Sequence, residues 1–373
     1  MKIILASIRM MICVMLFETG LCRAADSLTW PVSRGNAASQ GVSLSKLPDQ
    51  PKLLWEFAEP STAFEATPAI ADGRVFIGDL DGGAYALDLA SGKVIWRKKF
   101  EDGFSSSPAY KDGRIIIGDY EGLVRCLDAG TGESIWDYST DAQIDGGANF
   151  YGELVLVTSQ DGGLYALDLE TGELAWKFST NDQLRCAPTV AGNKTFLGGC
   201  DGKLHVIDLD SGKELGEGFP LQSPTGSTPT VEGEQVFAPT HSGTIFAFNY
   251  STLKESWLFS DSQRSQEIRS SPAISDGKLL VTTRNKRLLA IDSQSGKMVW
   301  EYVFKKRSEA SPIVGDGRVW VGSSDGRFVG LSLSTGEELW QAEQPGAFNA
   351  SASVAAGKLV IANDKGSVYC YGE

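Results

Sequence analysis

Apolar and polar positions alternate along this chain in short runs, each too brief for a helix. ATPAI (66–70), RVFIG (74–78), AYALD (84–88) and KVIW (93–96) are rich in β-branched and aromatic residues. They are separated by Asp72-Gly73, Asp81-Gly82 and Ser91-Gly92. Asp-Gly predicts a tight hairpin, because both central positions of a type I′ turn need positive φ. Four antiparallel strands are therefore expected within about forty residues, and the set then repeats. DGGAYALDLASGKVIW (81–96), EGLVRCLDAGTGESIW (121–136) and DGGLYALDLETGELAW (161–176) are three copies of one phrase. The phrase closes at Trp55, Trp96, Trp136, Trp176, Gly216, Trp257, Trp300 and Trp340, in steps of 40 to 43 residues. The pattern predicts an all-β, eight-bladed propeller of four-stranded antiparallel blades.

The two ends predict how the ring closes. The last unit supplies SASVA, KLVIA and SVYCY and stops at Glu373 without a fourth strand. Lys52–Phe57 precedes the first unit and has the fourth-strand pattern. It is expected to pair with Ser367–Tyr371, completing blade 8 and removing a free edge.

The motif A-x-D-x-x-[ST]-G-x-x-x-W is similar to the docking motif of the PQQ-like propeller repeats, the quinoprotein alcohol dehydrogenase-like family. It is met at Ala86/Asp88/Gly92/Trp96, Ala166/Asp168/Gly172/Trp176 and Ala290/Asp292/Gly296/Trp300, and nearly so at Cys126/Asp128/Gly132/Trp136. The resemblance covers residues 51–373. It implies that Trp96, Trp136, Trp176, Trp257, Trp300 and Trp340 wedge between blades, with the glycine allowing close approach. Gly216 replaces the Trp, Leu253 the Gly, and Asn249 and Ser332 the Asp. Blades 4 and 5 are expected to pack least regularly.

Composition places the chain. With 42% hydrophobic and 22% charged residues it is globular. Residues 1–24 read as a signal peptide: a short basic start, the apolar run Met10–Phe17, and small residues before a cut near Ala24. Residues 25–50 form an N-terminal extension to the propeller of 51–373. The stretch TGLC (19–22) is a poor lipoprotein signal, since Leu21 is not small. The leader carries Lys2, Arg9 and Arg23 against Glu18, so its removal takes the net charge from −13 to −15. So acidic a surface disfavours nucleic acid. No later apolar run is long enough to span a bilayer. A periplasmic or secreted monomer is expected.

Several motifs are discounted as chemistry. Gly322-Ser323-Ser324-Asp325-Gly326 fits G-x-S-x-G but lies between strands, and the two histidines, His205 and His241, belong to other blades. Asp208-Leu209-Asp210-Ser211-Gly212 is one more repeat turn, not a calcium loop. Two histidines and scattered cysteines disfavour a zinc site. Cys186 and Cys200 fall one residue out of register, so a disulfide between them needs a bulge. Cys126 and Cys370 are two blades apart.

Two sets of residues remain. Ala66, Ser106, Gly146, Cys186, Ser227, Ser270, Ala310 and Ala350 form a small column at the start of each first strand, read as axial. One step outward, Glu65, Ser105, Asp145, Arg185, Gly226, Arg269, Glu309 and Asn349 are expected to ring one mouth of the channel. On the same face, Arg264, Arg269, Arg284, Lys286, Arg287, Lys305, Lys306 and Arg307 gather in one sector, a candidate patch for an anionic envelope ligand or acidic partner. In size and repeat number the chain resembles the BamB family of outer-membrane β-barrel assembly factors, which implies a binding or scaffold protein without cofactor. The alternative is a quinoprotein dehydrogenase using pyrroloquinoline quinone and calcium. Against it stand short inter-blade loops and the absence of a Cys-Cys pair.

Overall fold

The structure, a computed structural model, describes residues 27–373 apart from 262, 263 and 265. The leader and its cleavage point lie outside the described residues. Among the described residues eight small sheets make up the fold. Blade 1 consists of Ala69–Ala71, Arg74–Gly78, Gly83–Asp88 and Val94–Lys99, paired antiparallel in chain order. Blades 2, 3, 5, 6 and 7 repeat that order. The second strands are buried almost throughout, whereas the outer strands expose alternate residues. Side chains on successive strand positions point to opposite faces, so the inner strands fill both inter-blade seams.

Closure occurs as the ends predict. Lys52–Ala58 pairs antiparallel with Ser367–Gly372, from Lys52 opposite Gly372 to Ala58 opposite Ser367. Blade 8 therefore draws its outer strand from the opposite end of the chain.

Each regular outer strand carries one extra residue just before its tryptophan, such as Ile95 between Val94 and Trp96. This bulge sets the tryptophan into the seam with the next blade. Trp96 Nε1 donates to the Ala129 carbonyl at 2.9 Å, Trp136 to Leu169 at 3.0 Å and Trp300 to Leu333 at 3.1 Å. Trp257 reaches Ser293, and Trp340 reaches Pro51 across the closure. The indole lies flat against the repeat glycine. A Cβ on Gly172 would stand 2.6 Å from Trp136, and one on Gly212 would stand 2.7 Å from Trp176. The two departures from the motif face each other: the site of a Cβ on Gly216 is 3.9 Å from Leu253 Cδ1. Where blade 4 lacks its indole, blade 5 supplies a leucine in place of the glycine. The outer strand of blade 4 is also split into Lys213–Glu214 and Phe219–Pro220. His205 ties it down, between Glu214 at 2.6 Å and Asp201 at 3.0 Å.

The N-terminal extension runs beneath the ring. Trp30 bridges to Ile70 in blade 1, and Tyr110 of blade 2 donates to the Pro31 carbonyl. Asn149, Val190, Val231, Ile274 and Val314 then bind Ala37, Ala37, Ala38, Gln40 and Gly41 in turn. Val42–Ser43 adds a parallel strand to blade 7, and Ser43 Oγ donates to Val354 in blade 8. The extension thus touches the innermost strand of all eight blades and floors the channel.

Candidate functional site

The channel opens opposite the extension. Seven of the eight expected mouth residues (Glu65, Ser105, Asp145, Arg185, Gly226, Arg269 and Asn349) line one cavity of about 270 Å³. The eighth, Glu309, sits beside them, in ion-pair range of Arg284 at 3.3 Å and Arg307 at 3.6 Å.

The small column, read as axial, needs correction. Ala66, Ser106, Cys186, Ser227, Ser270 and Ala310 are at most 1% exposed and turn away from the channel. Ser106 and Ser270 donate to the carbonyls of Gly118 and Thr282 within their own blades, and Cys186 packs with Leu156 and Leu184. Gly146 and Ala350 reach the cavity. The first strand begins only at Ala69, so these positions form its lead-in, where the mouth residue and the position two further on face the cavity and the one between turns into the seam. The next position lines the channel, and it reads Thr67, Ser107, Gly147, Ala187, Thr228, Ser271, Ser311 and Ser351. Six of these eight carry a hydroxyl, and most precede a proline. That repeated Ser/Thr-Pro was the overlooked sequence signal.

Charge at the mouth is mixed and largely matched. Asp145 accepts from Gln143 at 2.6 Å and Gln160 at 2.7 Å, with Arg185 at 4.0 Å. Arg269 binds Glu267 at 2.7 Å. Burial first, then the charges of Asp364, Asp145 and Glu309, pushes the Glu65 carboxyl up. Burial pulls the His241 imidazole down, although Glu267 opposes it.

The basic sector comes together unevenly. Arg284 lies between Glu267 at 2.7 Å and Glu309 at 3.3 Å. Arg287 is buried against Glu301 and Asp261, and Arg264 also reaches Glu301, at 3.3 Å. Lys286, Lys305, Lys306 and Arg307 are exposed. The arginines are thus largely spent on internal carboxylates, while the lysines face solvent.

The discounted motifs are structural. Ser323 donates to Asp325 at 2.6 Å inside a turn, and Asp208 accepts from Ser211. Cys126, Cys186, Cys200 and Cys370 are free thiols, and burial pushes Cys186 up to about 12. Leu184 pairs with Gly199, which sets Cys200 beside Gln183 and not opposite Cys186.

Residues 46–122, 120–257 and 263–371 match the family described as the outer membrane protein assembly factor BamB. The chain belongs to this family. None of the curated proteins matches it. Among solved structures it is similar to BamB from Moraxella catarrhalis (19% identity, TM-score 0.74, covering 87% of this chain and 98% of that one). It is also similar to the quinohemoprotein alcohol dehydrogenase from Comamonas testosteroni (15%, 0.80, 95% and 82%). A europium-containing methanol dehydrogenase aligns as well (13%, 0.77, 94% and 99%). Identities this low speak for the fold alone.

The dehydrogenase likeness invites a test of fit to pyrroloquinoline quinone and calcium. A flat quinone needs a stacking surface and a metal beside its carbonyl. Among the described residues no aromatic ring or sulfur lines this cavity, His241 reaching only the adjoining outer mouth, and Arg34 forms part of its lining. Among the described residues no group of three or more His, Cys, Asp or Glu is placed to hold a metal ion. The residues do not fit the pair.

Proposed function

We propose that this chain is an exported, non-enzymatic binding or scaffold protein that docks a protein partner on its channel-mouth face. The observation that carries this reading is the chemistry of the axial cavity, lined by hydroxyls, backbone and charges of both signs. Such a lining suits recognition and offers a redox cofactor no stacking surface. The family's description as an assembly factor supports a protein partner in the cell envelope. The exposed Lys286, Lys305 and Lys306 are the docking residues of this reading, steering an acidic partner surface to the sector. The experiment is capture from an envelope fraction by the wild type and by the triple variant Lys286→Glu, Lys305→Glu, Lys306→Glu. Loss of a specific acidic partner, with an unchanged melting temperature, is expected. Equal capture by both proteins refutes the docking site. Micromolar binding of pyrroloquinoline quinone with Ca²⁺, accompanied by dye-linked alcohol oxidation, refutes the non-enzymatic reading.

A further inference from the structure

The channel ends on a buried cation. Arg34 is 3% exposed. Its Nη2 donates to the carbonyls of Pro312 at 2.7 Å and Pro272 at 3.0 Å, which pins it to blades 6 and 7. Its Nε and Nη1 are buried and have no hydrogen-bond partner among the described residues. Among the described residues no carboxylate pairs with it, and burial alone pulls its pKa down to about 9. A buried guanidinium normally carries an anion, because desolvation without compensation is strongly unfavourable.

The hydroxyl ring lines the same cavity. Ser107 Oγ accepts the Thr67 N–H at 3.0 Å, and Thr228 Oγ1 accepts the Ala187 N–H at 3.0 Å. Ser271 Oγ accepts from Thr228 at 3.0 Å, and Ser311 Oγ from Ser271 at 2.9 Å. A hydroxyl has one proton and two lone pairs. Each of these four uses a lone pair on the neighbouring blade, and among the described residues none gives its proton to a protein acceptor. The cavity therefore presents a set of O–H donors beside Arg34, whose Nε and Nη1 are buried and lack a protein partner among the described residues. Gly146 packs against the Cys186 backbone and Gly147 against Ser107 and Ser33, so at these two positions the cavity wall is main chain.

We propose that the floor of the axial channel is an oxyanion site. A small carboxylate or phosphate enters through the mouth and takes hydrogen bonds from Arg34 and from the hydroxyls of Ser107, Thr228, Ser271 and Ser311. Two backbone carbonyls hold Nη2 in place before the anion arrives, which limits the side-chain freedom lost on binding. This site is independent of partner docking on the outer face and stands or falls separately from it.

The test is calorimetric titration of the full mature chain with inorganic phosphate and, in a second arm, acetate, against sodium chloride at equal ionic strength. Saturable binding of one or both oxyanions, with a matching rise in melting temperature, is expected, and the stronger arm names the ligand class. Arg34→Met should weaken binding by about tenfold or more, as loss of charged hydrogen bonds does. Because Arg34 also ties down the extension, the Ser271→Ala, Ser311→Ala variant is measured in parallel, and weakening there is expected with the fold retained. No saturable binding by the wild type overturns the proposal. So does an equal effect of chloride, or binding unchanged in the serine variant and in any folded Arg34→Met protein.

Discussion

The repeat aspartate shows how one residue type earns its place without chemistry. Asp88 Oδ1 accepts both the N–H and the hydroxyl of Ser91, at 2.8 and 2.6 Å. Asp128 with Thr131, Asp168 with Thr171, Asp208 with Ser211 and Asp292 with Ser295 repeat the turn. Asn249 with Thr252 shows that an amide oxygen serves as well. These bonds hold the carboxyls below their usual range: the hydroxyl dominates at Asp88 and Asp128, and the Thr171 N–H at Asp168. A carboxyl with a lowered folded pKa stabilises above its unfolded value of about 3.9, and that stabilisation fades as pH falls through the folded value. Replacing Asp168 with Asn keeps the acceptor and removes the titration. In urea melts the stability gap between wild type and Asp168→Asn should therefore shrink as pH drops below about 4. A gap that stays constant from pH 7 to pH 3 contradicts this account.

At the scale of the blade, stability comes from a tryptophan seated on a glycine of its neighbour. Gly172 has φ of +73° and lies against Trp136. Trp136→Ala should cost about 3–5 kcal/mol, as truncation of a buried indole does. Gly172→Ala should also destabilise, through its positive φ and through the clash. With the indole gone the clash disappears and only the backbone strain is left. The double variant should therefore cost less than the sum of the singles, by about 0.5–3 kcal/mol. Strict additivity in denaturant titrations would mean that the two residues do not dock. The Gly216–Leu253 junction departs from the rule on both sides: the indole is missing, and Leu253, half exposed, takes the place of the glycine and approaches Gly216.

At the scale of the whole molecule, two devices hold the ring. Lys52–Ala58 closes blade 8, and the extension before it ties the innermost strands of all eight blades. Removing residues 27–50 should leave the clasp and lower the melting temperature of a still cooperative protein. Removing residues 27–58 should also expose a blade edge and broaden the transition. A calorimetric trace as sharp and as high as that of the intact chain would refute the role of the clasp.

Sequence alone determined the blade count, the strand order, the seam tryptophans and the clasp. Each depends on a short pattern that recurs at a fixed spacing, and local turn chemistry sets its register. It also placed the mouth residues, because position within a repeat becomes position around a ring. Which neighbouring column faces the axis was decided by the tertiary structure, since alternation gives two faces and only assembly says which one is inside. Tertiary contact likewise made Gly216 and Leu253 a pair and spent the arginines of the basic sector on Glu267, Glu301 and Glu309. Arg34 lies in an extension without repeat, and its carbonyl partners stand 238 and 278 residues away. No local pattern encodes such a contact; it exists only once the ring has closed over the segment that floors it.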